Sequence, residues 1–474
     1  MLLLVALFAY HLFFMWHGHE WGWDSALYVD QAVSLTHGQV VDDQIRPFGF
    51  PILLVIASLF GGPGTYPMQV MVIITLIALL AAFWVLIRTS MDEWNALLLV
   101  AVVGLSPQIV FQKGHILSDI PYACFFFIAL LLIRYICIEK DSRFVLSASI
   151  FLGFIMAFGT SIRTVGIMLI PTLLTIQGII LIREGFRWPD AKTLLRLCLP
   201  YLSFVLFYIV YIITFGNWGQ YYVSTTPTLI SLWSVVANLV TYPTLVLKEY
   251  FPGTFEIRLL FYLFLIPFLI IGLRSRYKED FYITIAALWY FGAVVILSVT
   301  DEPRYAIAYY PIFMYFVFQG LIQVSSTINL KGIKLPKSPD IVTLCALILI
   351  LMSFASTIAQ VDKFGLYRTG PFIDGPDTPE AQDMFRYVRD TTTTDAKIGF
   401  RYRGYLDMYT GRKNQGGFPF VSPQEFVRTI DEQGIGTVLI EKRETNLTEL
   451  IEHSGQFSVV KENQKLILYQ RIQA

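Results

Sequence analysis

Trp23-Asp24-Ser25-Ala26-Leu27-Tyr28, followed by Arg46-Pro47-Phe48-Gly49-Phe50-Pro51, is the stretch on which the reading of the chain turns. It comes directly after an apolar run that begins at Met1. A carboxylate at the edge of such a run is costly unless it faces water, a cation or a ligand. From the residues alone Asp24 has two readings of similar weight: a site residue, or the N-cap of a helix starting at Ser25, a position Asp favours.

Composition says what surrounds that stretch. The 474 residues are 55% hydrophobic and only 15% charged, with a mean hydropathy of +0.59. A soluble chain must cover its surface with polar groups and is far less apolar than this, so an integral membrane protein is expected. Lys plus Arg and Asp plus Glu both number 35, and a formal charge of zero gives no footprint for a nucleic-acid partner. The four cysteines, Cys124, Cys137, Cys198 and Cys345, lie in or beside apolar runs without a CxxC spacing, so they read as packing residues.

Crossing the hydrocarbon takes about 20 residues at 1.5 Å per residue. Eleven segments qualify approximately: 1–15, 67–87, 95–111, 119–138, 144–160, 164–182, 194–215, 259–273, 281–299, 305–324 and 340–359. The first lacks a cleavage site and reads as a retained anchor. With the N-terminus in the cytoplasm, the inner loops hold fourteen Lys and Arg, from Arg88 to Lys337, and the outer loops six. Basic residues near helix ends are retained on the cytoplasmic side, so this imbalance predicts N-in and C-out. It also puts Asp24, Arg46, His115, Asp119, Arg163, Glu302 and Arg304 together on the outer side, although they span some three hundred residues. One shared outer site is the economical reading.

Two outer loops, 16–66 and 216–258, are long and rich in Trp and Tyr. Their apolar stretches Ala26 to Leu35, Phe50 to Phe60 and Leu229 to Leu247 are predicted as helices lying along the membrane interface. From Gly375-Pro376 onward charge becomes frequent and no membrane-length run remains. The predicted fold is therefore an all-α polytopic membrane domain (residues 1–360), a linker (361–375) and a small α/β extracytoplasmic domain (376–474). Within that domain, helices are predicted at Pro379 to Asp390, capped by Thr378, and at Pro423 to Gln433. Strands are predicted at Lys397 to Phe400, Thr437 to Glu441, Ser458 to Lys461 and Leu466 to Arg471. The basic and aromatic runs Arg401 to Tyr405 and Tyr409 to Lys413 read either as a carbohydrate-binding surface or as a solvated loop.

The motifs, in order, resemble those of the GT-C superfamily of membrane glycosyltransferases, in particular the bacterial branch related to protein O-mannosyltransferases and the lipid A aminoarabinose transferase. The residues that carry the resemblance are Trp23 to Tyr28 with Ala32 and His37-Gly38, Arg46 to Pro51, Ser118 to Tyr122, Ser161 to Gly166, and Pro303-Arg304-Tyr305 with Tyr310-Pro311. The resemblance implies a GT-C-type bundle of about eleven transmembrane helices with interfacial helices. It also implies a sugar donor on polyprenyl phosphate, transferred with inversion to an extracytoplasmic hydroxyl of a lipid, glycan or protein, at the bacterial plasma membrane. By the same resemblance Asp24 is the base that takes the acceptor proton. The family often has a second acidic residue directly after the first; Ser25 stands there instead.

Displacement at an anomeric carbon needs a base near the acceptor and cations on the departing phosphate. Asp119 is the second acidic candidate, to be weighed against a first-turn helix residue with Ser118 as cap. Arg304 is first choice for the donor phosphate, since guanidinium binds phosphate through paired N–H groups and stays charged. Its bland reading is a surface pair with Glu302. Arg46 and Arg163 follow, the latter weighed against an arginine snorkelling to the interface. Tyr28, Glu302, Tyr305 and His115 are expected to support them. No cofactor is called for. His17-Gly18-His19-Glu20 matches no standard zinc spacing, so no metal is assigned, although a divalent ion is left open. The rival class is a lipid or polysaccharide transporter or flippase; those place ionisable residues near the midplane on broken helices, whereas these candidates sit at helix ends.

Overall fold

The computed structural model describes residues 1–15, 23–40, 46–62, 64–139, 144–185, 191–216, 232–248, 250–251, 255–296, 303–327, 338–364, 375–412 and 423–472. The helices of the first 364 residues are α1 (Leu2–Met15), α2 (Trp23–Thr36), α3 (Gly49–Gly61), α4 (Thr65–Ile87), α5 (Glu93–Gly104), α6 (Pro107–Gln112), α7 (Asp119–Arg134), α8 (Val145–Ile162), α9 (Leu169–Arg183), α10 (Ala191–Phe215), α11 (Leu232–Thr244), α12 (Phe255–Arg276), α13 (Phe281–Ile296), α14 (Tyr310–Thr327) and α15 (Ser338–Phe364). Among the described residues seven helical stretches are long and apolar enough to cross a membrane, including Thr65–Ile87, Asp119–Ile138, Thr164–Arg183 and Phe255–Arg276. The chain is an integral membrane protein. Its outermost helices show this directly: α10 exposes Leu206 and Ile213, and α12 exposes Leu260 and Phe264, side chains suited to acyl chains and not to water.

The expected crossings 1–15, 95–111, 281–299 and 305–324 are not among these seven. Residues 95–111 form not one helix but two, because Ser106 accepts from the Ile109 amide and starts α6, while Pro107 has no N–H with which to continue α5. Asp92 caps the front of α5 in the same manner, accepting from the Asn95 amide at 3.0 Å. Its twelve residues reach roughly 18 Å, short of a hydrocarbon core of about 30 Å. The expected interfacial segments are helical as α2, α3 and α11.

The C-terminal unit contains α16 (Pro379–Thr391), β1 (Ile398–Gly399), α17 (Arg403–Thr410), α18 (Pro423–Gln433), β2 (Thr437–Glu441), α19 (Thr445–Ser454), β3 (Phe457–Glu462) and β4 (Leu466–Arg471). Its sheet runs in the order β1-β2-β4-β3, with β1 and β2 parallel and the other pairs antiparallel. Thr378 caps α16 as the sequence predicts, accepting from Ala381 at 3.2 Å. α18 and α19, through Ile430 and Ile451, cover one face of the sheet over Val438, Ile440 and Tyr469. The other side, with Phe385, Phe400, Tyr405 and Leu468, is continuous with the buried core of the helix bundle.

That continuity overturns the reading of Arg401 to Arg412 as a binding surface or a solvated loop, while Lys413 lies outside the described residues. Tyr405 is completely buried, Tyr409 stacks on Phe385 and donates to Asp377, and Arg412 donates to the carbonyls of Arg389 (2.5 Å) and Thr392 (2.9 Å) at the end of α16. Asp377 in turn accepts from Thr65 at the start of α4, at 2.6 Å. The aromatic residues are there to dock the unit. α17 lies against α2, and at Gly404 any Cβ would run into the carbonyl of Ala26 and the amide of Asp30. Only glycine lets the two helix backbones come that close.

Candidate functional site

Five short segments meet at one end of the bundle. Asp24 sits in the first turn of α2 and Tyr28 one turn later on the same face. Arg46 precedes α3; its carbonyl accepts from Gln31 at 3.3 Å, and the neighbouring Phe48 amide donates to Tyr211 at 2.8 Å. Asp119 opens α7, and Arg163 occupies the extended junction (φ −144°, ψ 133°) between α8 and the 3-10 turn Thr164–Met168. Arg304 and Tyr305 lie in the 3-10 turn Pro303–Ala306. α3 approaches α8 so closely at Gly49 that a side chain there would strike Ser161, which sets Arg46 and Arg163 side by side.

The resulting cavity, of about 230 Å³, is lined by Asp24, Tyr28, Arg46, Asp119, Arg163 and Arg304, with Ser118, Tyr305 and a few neighbours. Arg46 donates to Oδ1 of Asp24 at 2.5 Å and Arg304 to Oδ2 at 2.5 Å, so each carboxylate oxygen has its own guanidinium. Arg163 pairs with Oδ1 of Asp119, whose side chain is only 5% exposed. The second carboxylate oxygen of Asp119 is buried and has no hydrogen-bond partner among the described residues. Arg163 and Arg304 both lie 5.3 Å from the ring centre of Tyr305. Tyr28 and Ser118 share a hydrogen bond of 2.9 Å.

Three guanidiniums against two carboxylates leave the described lining of this cavity cationic. Burial pushes the Asp24 carboxyl up, but Arg304 and then Arg46 more than offset it, and the group lies below the usual carboxylate range. It is ionised at neutral pH. Burial also works against the charge on Arg304 and Arg163, yet Asp119, with Tyr305 and, at Arg304, Asp24, holds both above the ordinary arginine value. Burial raises the Tyr28 hydroxyl to about 12, so it remains protonated and serves as a hydrogen-bonding group. The arrangement can bind a phosphate group and, beside it, hold an ionised carboxylate within reach of a hydroxyl.

The sequence-predicted residues thus divide clearly. Asp24, Arg46, Asp119, Arg163, Arg304, Tyr28 and Tyr305 converge on the cavity. His115 does not line it; its ring packs edge-on against Phe111, 5.2 Å away. Glu302 and the segment His17 to Glu20 lie outside the described residues. Arg304 nevertheless reaches Asp24, so a surface pair with Glu302 is not needed to account for it. Ser118 makes no capping bond to its helix and instead holds Tyr28. Among the described residues no three His, Cys, Asp or Glu side chains gather to hold a metal ion. None of the cysteines forms a disulfide; Cys124 and Cys137 are buried and Cys198 is exposed.

No family model and no curated protein sequence matches the chain. Its structure, however, aligns along 99% of its length with 98% of ArnT from Cupriavidus metallidurans, solved bound to undecaprenyl phosphate, at 12% identity and a TM-score of 0.65. It also aligns over 92% of its length with 69% of the oligosaccharyltransferase AglB from Archaeoglobus fulgidus, solved with an inhibitory peptide and a dolichol-phosphate (13% identity, TM-score 0.57). A third similarity, at 14% identity and a TM-score of 0.51, is to 40% of the arabinofuranosyltransferase AftD from Mycobacteria. Over its full length, the C-terminal unit included, the chain has the fold of the GT-C membrane glycosyltransferases.

Proposed function

We propose that the protein is a glycosyltransferase that moves a sugar from a polyprenyl-phosphate donor to an acceptor hydroxyl, with inversion at the anomeric carbon. The observation that carries this reading is Asp24, held by one arginine on each oxygen in a cavity whose other ion pair is Arg163 and Asp119. The acceptor oxygen forms a bond to the anomeric carbon as the bond to the phosphate oxygen breaks. The acceptor proton goes to Asp24 and the electron pair leaves with the phosphate. Arg304, with Arg46 and Arg163, neutralises the charge that builds there. A carboxylate gripped by two guanidiniums is a weak base. When the donor phosphate enters, it competes for those same N–H groups, and Asp24 regains basicity only in the loaded site. Asp119 keeps Arg163 in place and offers its second oxygen to the acceptor.

The orientation that fits is N-terminus inside and site outside, at the plasma membrane of a bacterium, with Arg88, Arg134, Arg183 and Arg276 gathered at the opposite helix ends. In this reading residues 1–360 are the catalytic domain and 376–474 an extracytoplasmic domain that selects or shields the acceptor, which its contact with α2 supports. The ArnT and AglB structures with undecaprenyl phosphate and dolichol-phosphate support a lipid-linked donor.

The test is to incubate purified protein with polyprenyl-phosphate sugars and envelope extracts, and to identify products by mass spectrometry. Free polyprenyl phosphate together with a glycosylated acceptor is the expected result. Movement of labelled lipid across a vesicle with its glycosidic bond intact would replace the transferase by the flippase.

A further inference from the structure

A second cavity, of about 460 Å³, opens at the end of the bundle away from Asp24. α7 begins at Asp119 in the first cavity and ends at Arg134 in the second, a separation of roughly 22 Å along the helix. Its walls come from the end of α4 (Thr89, Ser90), the π-helical turn Tyr135–Glu139 (Cys137, Ile138), the end of α9 (Ile180, Arg183, Glu184) and the α12–α13 connection (Arg276, Lys278, Glu279, Asp280). A π-helical turn is rare and tends to mark a functional position.

The charges facing the cavity are Arg134, Arg183, Arg276 and Lys278 against Glu184, Glu279 and Asp280. Arg276 is committed: it pairs with Asp280 at 2.8 Å and with Glu279 at 2.6 Å. Asp280 is further satisfied by Tyr315 (2.5 Å) and Ser90 (3.1 Å). Arg134 is held by the Leu86 carbonyl and by Thr89. Arg183 and Lys278 lie on the exposed rim together with Glu184 and with Glu279, the latter paired to Arg276. Arg183 is ordered there by the face of Phe281, 4.4 Å away, and by the carbonyl of Lys278 at 3.4 Å. Ile138 and Ile180 line the cavity beside them, so apolar groups stand next to the two cations.

We infer that this second cavity binds the phosphate-bearing headgroup of an anionic membrane phospholipid, with Arg183 and Lys278 as its cationic contacts and Ile138 and Ile180 against its acyl chains. A basic pocket between transmembrane helices suits an anionic headgroup. The apolar lining selects a lipid over free phosphate, which has nothing to place there. The inference does not depend on the chemistry proposed for the Asp24 cavity, because it is read out by binding and not by sugar transfer.

The experiment uses the full-length protein in a neutral detergent, titrated with short-chain phosphatidylglycerol, short-chain phosphatidylcholine and inorganic phosphate, with binding followed by native mass spectrometry. Saturable phosphatidylglycerol binding is expected, weakened roughly 30-fold in Arg183→Gln/Lys278→Gln, about fivefold for each cation removed. Binding should survive in Arg183→Lys/Lys278→Arg, which keeps both charges, and in Arg304→Gln, which alters only the first cavity. Equal binding in the wild type and the double glutamine variant would overturn the inference, as would loss in Arg304→Gln instead. Inorganic phosphate binding as tightly as phosphatidylglycerol, with the same dependence on Arg183 and Lys278, would make this a free-anion site and also overturn it.

Discussion

Replacing Asp24 by Asn separates base chemistry from phosphate binding, because the two functions pull the same side chain in opposite directions. The carboxamide of Asp24→Asn cannot accept a proton at neutral pH, and a general base contributes on the order of 10²–10⁴ in rate, so kcat should fall by that factor. The same change releases Arg46 and Arg304 from ion pairs whose carboxylate is 27% exposed. Partly exposed pairs are each worth about 0.5–1 kcal/mol, and two of them correspond to donor binding tighter by about 5- to 30-fold. Single-turnover kinetics with a polyprenyl-phosphate sugar give the rate, and equilibrium binding of the unsugared lipid phosphate gives the affinity. A variant with wild-type kcat and weakened phosphate binding would refute the reasoning, since Asp24 would then be helping to hold the donor and not to activate the acceptor.

Arg304→Gln removes a charged hydrogen bond of about 1.5–3 kcal/mol to the donor and should weaken its binding by roughly 10- to 150-fold, measured by the same equilibrium titration. The acid limb of kcat/KM reports the free enzyme, in which Asp24 lies below its ordinary value of 3.8. Activity should therefore persist as pH falls through the usual carboxylate range and be lost only below it. Arg46→Gln should move that limb upward, and a wild-type limb near neutrality would name another base. Gly404→Val forces α17 away from the Ala26 carbonyl, and overpacking of this kind costs about 1–3 kcal/mol of stability. Displacing α2 by an ångström should also lower kcat by about 10²-fold while leaving phosphate affinity near wild type, a split visible in a full kinetic profile.

Much of the fold was legible because long apolar runs have few alternatives in lipid, where each backbone group needs an internal partner. The helices starting at Thr65, Asp119 and Phe255 were readable for this reason. The break at Ser106-Pro107 was also written in the chain, as a capping hydroxyl followed by proline, but the surrounding hydrophobicity masked it. Membership of the candidate site followed from side counting and motif order. Its pairing did not: that Arg46 and Arg304 share one carboxylate depends on a fold that joins residues 280 positions apart. α17 was missed for a similar reason. Its Tyr405 and Tyr409 look like surface aromatics until their partners are known, and those partners are α2, the α16 helix and Asp377.

The backbone-to-backbone seam at Gly404 gives the C-terminal unit a mechanical meaning. At Gly404 no side chain stands between α17 and α2 to absorb a shift, so a push on the C-terminal unit is transmitted to the start of α2, which carries Asp24. Under the proposed function, a bulky acceptor leaning on that unit would therefore adjust the Asp24 carboxylate without touching it. Transplanting the unit from a relative would require matching this seam before any loop.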